Sequence, residues 1–253
     1  MRRWLALGAG ALLIGCAIVA AVLLSRGGES ARTTATKARP RPPRLVRVRE
    51  LAARVPDGGR VPLRASPGGR VLATVGARTP FGSPQTMAVA LRKGGWVAVR
   101  STALGNRRLG WAPARTFRLL RRHRWLDVDL SKRTLTLVLP KPMPGGERIR
   151  GNLHVSVAIG APDTPTPPGE FYVTDKLRGA DFGPYYGCCI LALSGRQPHL
   201  PQGWSGGDRL AIHGTPVPDA GRAVTNGCLH LPDAELRTLM KAVPLGTFVR
   251  IHA

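Results

Sequence analysis

Two short runs that alternate apolar with mostly polar residues set the fold class. Residues 125–130 read Trp-Leu-Asp-Val-Asp-Leu and residues 134–139 read Thr-Leu-Thr-Leu-Val-Leu. A period of two sends successive side chains to opposite faces of a strand. Ser131, Lys132 and Arg133 between the runs leave room only for a tight turn, so a hairpin is expected here. Further strand-like runs follow at residues 153–159, 170–174, 189–193, 209–213 and 247–252. One helix is expected from Pro232, whose fixed φ suits a first helical position. Asp233 and Glu235 would sit at its positive end, and Leu236, Leu239 and Met240 would share one face. Residues 123–253 therefore read as a mainly β domain with a short helix near its end.

Residues 45–120 read as a second β unit. Short β-prone runs at 61–64, 71–75, 87–91, 96–99 and 109–111 alternate with turns such as Pro67-Gly68-Gly69 and Lys93-Gly94-Gly95. The pattern fits a small barrel or sandwich. The Gly95-Trp96 and Gly110-Trp111 steps, with a Gly105-Asn106 turn between them, resemble bacterial SH3-like domains. That resemblance implies a small β-barrel of a kind that often binds wall peptides. A spacer barrel built around the tryptophans explains the same residues.

The N-terminus bears on compartment. Residues 4–24 are uncharged and almost wholly apolar behind Arg2 and Arg3. At about 1.5 Å per helical residue such a stretch crosses a hydrocarbon core of roughly 30 Å. Residues 1–25 are thus expected to be a single-pass membrane anchor with the body of the chain outside the cytoplasm. Two alternatives keep the same compartment: a cleaved signal peptide, or a lipid anchor at Leu13-Ile14-Gly15-Cys16, after which the sequence stays apolar. Residues 26–44, rich in Arg, Thr, Ala and Pro, read as an extended spacer.

With 38 Lys+Arg against 14 Asp+Glu, the chain carries a formal charge of +24. A field of this sign favours polyanions. The arginines are scattered, without interleaved aromatics or a nucleic-acid-binding fingerprint, so anionic headgroups and an acidic cell wall are the expected partners and nucleic acid is not. The apolar fraction of 43% supports a core, and the 5% aromatic share makes that core mostly aliphatic.

Chemistry concentrates in two segments. Ile212-His213-Gly214-Thr215 closes one strand, and Val224-Thr225-Asn226-Gly227-Cys228-Leu229-His230-Leu231 precedes the helix, with a Pro/Gly-rich loop between them. A thiol near its free pKa is mostly protonated at neutral pH, so a nucleophilic cysteine needs a histidine or a helix N-terminus to raise its thiolate fraction. Cys228 stands where it can have both. Small Gly227 would let the backbone N–H groups of Gly227 and Cys228 face an oxyanion. By spacing alone, a buried thiol and a satisfied core histidine look the same.

These residues resemble the L,D-transpeptidase (YkuD) catalytic domain, whose motif is His-Gly-Thr followed by Ser/Thr-His/Asn-Gly-Cys and an apolar residue. Ala158-Ile159-Gly160, the run from Thr164 through Phe171, and Pro244-Leu245-Gly246-Thr247-Phe248-Val249 extend the resemblance over about 130 residues. It implies a catalytic β-sandwich in which Cys228 attacks a peptidoglycan stem-peptide carbonyl after an L-centre. The terminal D-amino acid leaves, a thioester forms, and a neighbouring stem amine resolves it to a 3→3 cross-link. His213 would take the thiol proton, and the Gly214 carbonyl would orient the imidazole. Thr215, Thr225, Asn226, Gly227, His230 and Tyr186 would line the oxyanion and substrate region. Asn226 stands where many members have His, and His230 where many have Arg or Asn; His230 cannot make a bidentate fork to a carboxylate.

Cys188 and Cys189 adjoin the expected cleft; sequence neighbours bridge only with a distorted peptide, so free buried thiols are expected. His199, Gln202 and Trp204 lie in a loop that reads as a lid or as plain surface. No grouped His/Cys spacing points to a metal, no cofactor is expected, and the chain is expected to act as a monomer. Wall-lytic cysteine peptidases with SH3-like modules place Cys before His, the reverse of the order here. Left open are an L,D-carboxypeptidase, acyl transfer to a protein amine, and a degenerate wall-binding protein.

Overall fold

Alternation in residues 125–139 becomes a hairpin in which every second side chain is sealed. Strands Trp125–Asp129 and Thr134–Val138 pair antiparallel, and Leu126, Val128, Leu135 and Leu137 are fully buried. Asp129 Oδ1 accepts a hydrogen bond from the Lys132 N–H at 2.9 Å, closing a turn that carries Arg133 at φ 53°. The computed structural model describes residues 46–139, 153–201 and 203–253. The expected membrane anchor, Cys16, the spacer and Gln202 lie outside these residues. No helix among the described residues is long and apolar enough to cross a membrane.

The hairpin lies near one end of a mixed eight-stranded sheet. Its order is His154–Ser156, Thr134–Val138, Trp125–Asp129, Phe248–His252, Gly169–Arg178, Cys189–Arg196, Arg209–His213 and Leu229–His230. Two neighbours run parallel: Phe248–His252 beside Trp125–Asp129, and Leu229–His230 beside Arg209–His213. The run expected at 153–159 is split, because Ile159–Gly160 leaves the sheet to pair with Ala223–Thr225. Gly160 cannot carry a side chain there, since a Cβ would come within 2.7 Å of the Pro165 carbonyl carbon. The single α-helix among the described residues, α1, spans Asp233–Ala242. Pro232 is its N-cap and not its first helical residue, and Leu236, Leu239 and Ala242 form the buried face with Met240 partly buried beside them. Helix and sheet enclose one core around Phe171, Leu191, Leu193 and Ile212.

The first region forms an antiparallel eight-stranded sheet ordered Val71–Gly76, Arg60–Arg64, Leu109–Pro113, Trp96–Arg100, Thr86–Lys93, Leu51–Arg54 and Arg118–Arg121, with Val46–Arg47 also paired to Thr86–Lys93. Leu63, Met87, Val97, Val99 and Ala112 build its core, while Trp96 and Trp111 are only half-buried. Trp111 pairs with Ala98 and Trp96 with Pro113, so the tryptophans share the face opposite Val97 and Val99.

Tyr172, from the middle of Gly169–Arg178, is fully buried in this first core. Around it, Thr79 hydrogen-bonds Asp175 and Arg100 pairs with Glu170. Asn106 exchanges two bonds with the Arg196 backbone, donating to its carbonyl at 2.7 Å and accepting from its N–H at 2.8 Å.

Candidate active site

The site is built on one parallel strand pair. His213 is the Cα partner of His230, and Ile212 of Leu229, so Ala211 stands opposite Cys228. Directly paired residues project to the same face, so His213 and His230 share one, and Cys228 immediately precedes the strand that carries His230. His213 is also paired with Ile190 on its other side, which leaves it 5% exposed.

Its imidazole is oriented by its neighbour. Nδ1 lies 2.6 Å from the Gly214 carbonyl, which can only accept, so Nδ1 carries the proton and Nε2 is left as the base. Gly214 is itself fixed: its N–H donates to the Cys189 carbonyl at 3.3 Å, and a Cβ on it would collide with Asp233 Oδ1. Burial first, then the charge on His230, hold His213 down at about 4, against the raising effects of the Gly214 bond and Asp219.

Cys228 retains some exposure, yet the surroundings of its sulfur push the thiol up to about 11, with a backbone hydrogen bond to the neighbouring strand as the smaller, opposing effect. Its Sγ lies 3.9 Å from the Arg209 carbonyl. The resting pair is therefore neutral thiol and neutral imidazole, not a thiolate held by a cation. The helix does not change this, since Leu229–His230 separates Cys228 from α1, and the side chain of Asp233 at the helix start accepts from the Cys188 N–H at 3.0 Å.

The turn carrying Cys228 is clamped by residues the motif does not contain. Gly227 has φ 107°, which favours glycine, and a Cβ there would collide with Gln197 Nε2. Buried Gln197 shares its amide protons among the carbonyls of Thr164, Pro165 and Asn226 at 3.0–3.1 Å. Thr164 and Thr166 hydroxyls donate to the Thr225 and Gly227 carbonyls at 2.8 and 3.0 Å. Sequence alone gave Gln197 no signal, because the carbonyls it holds lie more than 25 residues away.

Several rim residues do other work than expected from the sequence. The Gly227 N–H donates to Thr225 Oγ1 at 3.0 Å, so of the two backbone groups expected to face an oxyanion this one is engaged within the turn. Thr225 Oγ1 donates in turn to the Cys228 carbonyl at 2.7 Å and is buried, which removes it from the substrate side. Thr215 Oγ1 accepts from the Val217 N–H at 3.2 Å. Asn226 is exposed.

Tyr186 packs its ring 4.8 Å from that of His213, and its hydroxyl is raised by burial and then by Cys228. Phe182 and Phe81 continue this line of rings away from His213, at centroid spacings of 6.2 and 5.8 Å. On the other side, His230 lies 4.4 Å from His213 and its Nδ1 is 2.6 Å from Asp219 Oδ2, a residue the sequence reading missed. Cys188 and Cys189 are joined in a disulfide, contrary to the free thiols expected, where the turn at 187–188 enters strand Cys189–Arg196. Trp204 is part-exposed and turns its indole N–H to the Gly207 carbonyl at 2.8 Å.

Known proteins match this half of the chain. The model of the L,D-transpeptidase catalytic domain, YkuD, matches residues 123–251. YkuD of Bacillus subtilis is 34% identical over 130 residues, which are 50% of this chain and 65% of that protein. YqjB of the same organism is 37% identical over 106 residues, or 38% of this chain and 57% of that one. The chain thus spans less than two thirds of these relatives' length. Among solved structures, L,D-transpeptidase 3 from Mycobacterium tuberculosis with a faropenem-derived adduct is 19% identical, with a TM-score of 0.38, over 57% of this chain and 73% of that one. The family model covers half of the chain and agrees with the shared stretch of sequence, and the chain belongs to the YkuD L,D-transpeptidase catalytic-domain family.

Proposed function

We propose that this chain is a peptidoglycan L,D-transpeptidase with Cys228 as nucleophile and His213 as base. The observation that supports the reading is the parallel pairing of His213 with His230, in a strand that begins immediately after Cys228, together with the Gly214 bond that leaves Nε2 of the His213 imidazole free of a proton. In the first half-reaction the thiol proton passes to His213 as sulfur bonds to the stem-peptide carbonyl carbon after an L-centre. The proton then goes to the departing D-amino acid nitrogen as the C–N bond breaks, leaving a thioester. In the second half an amine of a neighbouring stem displaces sulfur and forms a 3→3 cross-link.

A neutral resting thiol fits this sequence. The nucleophile is then made only when the substrate excludes water and offers the carbonyl, which protects it from adventitious electrophiles. Arg-rich residues 1–44 with their apolar stretch fit a membrane tether that keeps the domain at the wall, and the 45–120 region fits an SH3-like module that spaces the site or binds wall peptide.

Incubation with a disaccharide-tetrapeptide and mapping of the products tests the reading: a 3→3 dimer with release of the terminal D-residue is expected. A tripeptide product without dimer would make the enzyme a carboxypeptidase, and unchanged substrate would refute catalysis. A carbapenem should add covalently to the parent, and equal adduct mass on Cys228→Ala would rule out Cys228.

A further inference from the structure

The second imidazole at the site has a carboxylate of its own. Asp219 is 5% exposed, and its Oδ2 lies 2.6 Å from His230 Nδ1. A carboxylate only accepts, so Nδ1 carries the proton and Nε2, across the ring, is the nitrogen free to gain one. His230 sits beside His213, ring to ring at 4.4 Å, and two residues after Cys228 in the chain. The charged and titratable groups facing it are therefore Asp219 from the 214–222 loop, His213 from the neighbouring strand, and Cys228.

Acyl transfer to an amine moves one more proton than His213 can carry. At neutral pH the acceptor arrives as an ammonium with no lone pair to attack. It must lose one proton before its N–C bond forms. As that bond forms and the C–S bond breaks, a second proton leaves the nitrogen and reaches the departing thiolate through His213. Water as acceptor needs only the second transfer.

We propose that His230, held by Asp219, is the carrier of the first proton: it deprotonates the acceptor ammonium, and it gives that proton to the amine released in the first half-reaction of the next turnover. This rests on the acyl-transfer reading above. A proton gained at His230 Nε2 is balanced by the Asp219 carboxylate at Nδ1, whereas His213 is backed only by a carbonyl. Once charged, it disfavours a proton on His213 and keeps that base free for the second transfer. Atoms balance over the cycle: one ammonium is consumed, one is released, and both imidazoles return to their starting state.

The test uses the full-length chain, its acyl-enzyme formed from a tetrapeptide donor and followed by intact mass. Two acceptors are compared: Nα-acetyllysine, whose side-chain amine is cationic at neutral pH, and hydroxylamine, which is not. His230→Gln is expected to lower the ratio of the lysine rate to the hydroxylamine rate by about a hundredfold, the scale of a lost general base. The lysine rate should recover as pH rises toward the amine's own pKa. Asp219→Asn should lower the same ratio by a smaller factor, and it keeps the test alive if His230→Gln does not fold. A ratio equal to the parent's in both variants, or an equal loss with both acceptors, overturns the proposal. Absence of any acyl-enzyme on the parent would instead overturn the acyl-transfer reading.

Discussion

Gly214 and Asp233 are packed so closely that no side chain fits between them: a Cβ on Gly214 would overlap Asp233 Oδ1 and approach Gly187 Cα to 2.9 Å. The same glycine supplies the carbonyl that orients His213. Gly214→Ala is therefore expected to cost ~1–3 kcal/mol of stability by overpacking. It should also cost about a hundredfold in kcat/KM, by turning the imidazole away from Cys228. Thermal denaturation and turnover on a disaccharide-tetrapeptide check both. Parent-like turnover in this variant would show that the carbonyl does not position the base.

Acid should destabilise the protein through His213. Its folded value of about 4 lies below the ordinary 6.5, so between these values the unfolded chain binds a proton that the folded chain refuses. Stability is then full above about pH 6.5 and falls as pH drops toward 4, by an amount approaching ~3 kcal/mol. Urea unfolding should show the parent losing more stability on this limb than His213→Gln. Equal losses in the two proteins would contradict the burial argument.

Alkylation of Cys228 should follow the thiol pushed up to about 11. Its rate with iodoacetamide is expected to rise about tenfold per pH unit from roughly pH 7 to 9, because only the thiolate reacts. A rate already flat at neutral pH would reveal a preformed thiolate–imidazolium pair.

Gln197 ties the carbonyls of Thr164 and Pro165 to that of Asn226 in the Cys228 turn. Gln197→Glu replaces the donor with an acceptor facing those oxygens, and it is expected to lose ~2–4 kcal/mol and most activity, since a buried carboxylate oxygen then meets three carbonyls and only the His199 N–H still donates to the side chain. Gln197→Ala should cost less, about 1–3 kcal/mol, while the Thr164 and Thr166 clamps remain. The order of melting temperatures, parent above Ala above Glu, is the measurement.

The chain has 4 cysteines, of which Cys188 and Cys189 form a disulfide. Alkylation in denaturant, read by intact mass, should therefore add two more labels after reduction than before it. Full labelling without a reductant would show the pair to be free thiols.

Much of the fold was legible because burial leaves a period in the sequence. Leu126, Val128, Leu135 and Leu137 alternate with polar residues, and the sealed face follows from that alternation. Leu51–Arg54 and Arg118–Arg121 were not legible as strands: Ala52 and Ala53 are small and helix-tolerant, and they are buried because Gly246 and neighbouring strands approach closely. The 153–159 run looked continuous, yet its end pairs with Ala223–Thr225, a partner more than 60 residues away.

At the site, sequence by itself determined which groups can do chemistry: a His-Gly-Thr, a Thr-Asn-Gly-Cys, and the glycines without which neither turn fits. Only the tertiary structure decided how those groups are poised. It joined His213 to His230 in one ladder, brought Asp219 behind His230, ran Gln197 under the turn and surrounded the Cys228 sulfur closely enough to keep it protonated. Local residue types fix donors, acceptors and backbone freedom, whereas protonation and orientation depend on burial and on partners that the chain brings together only when folded.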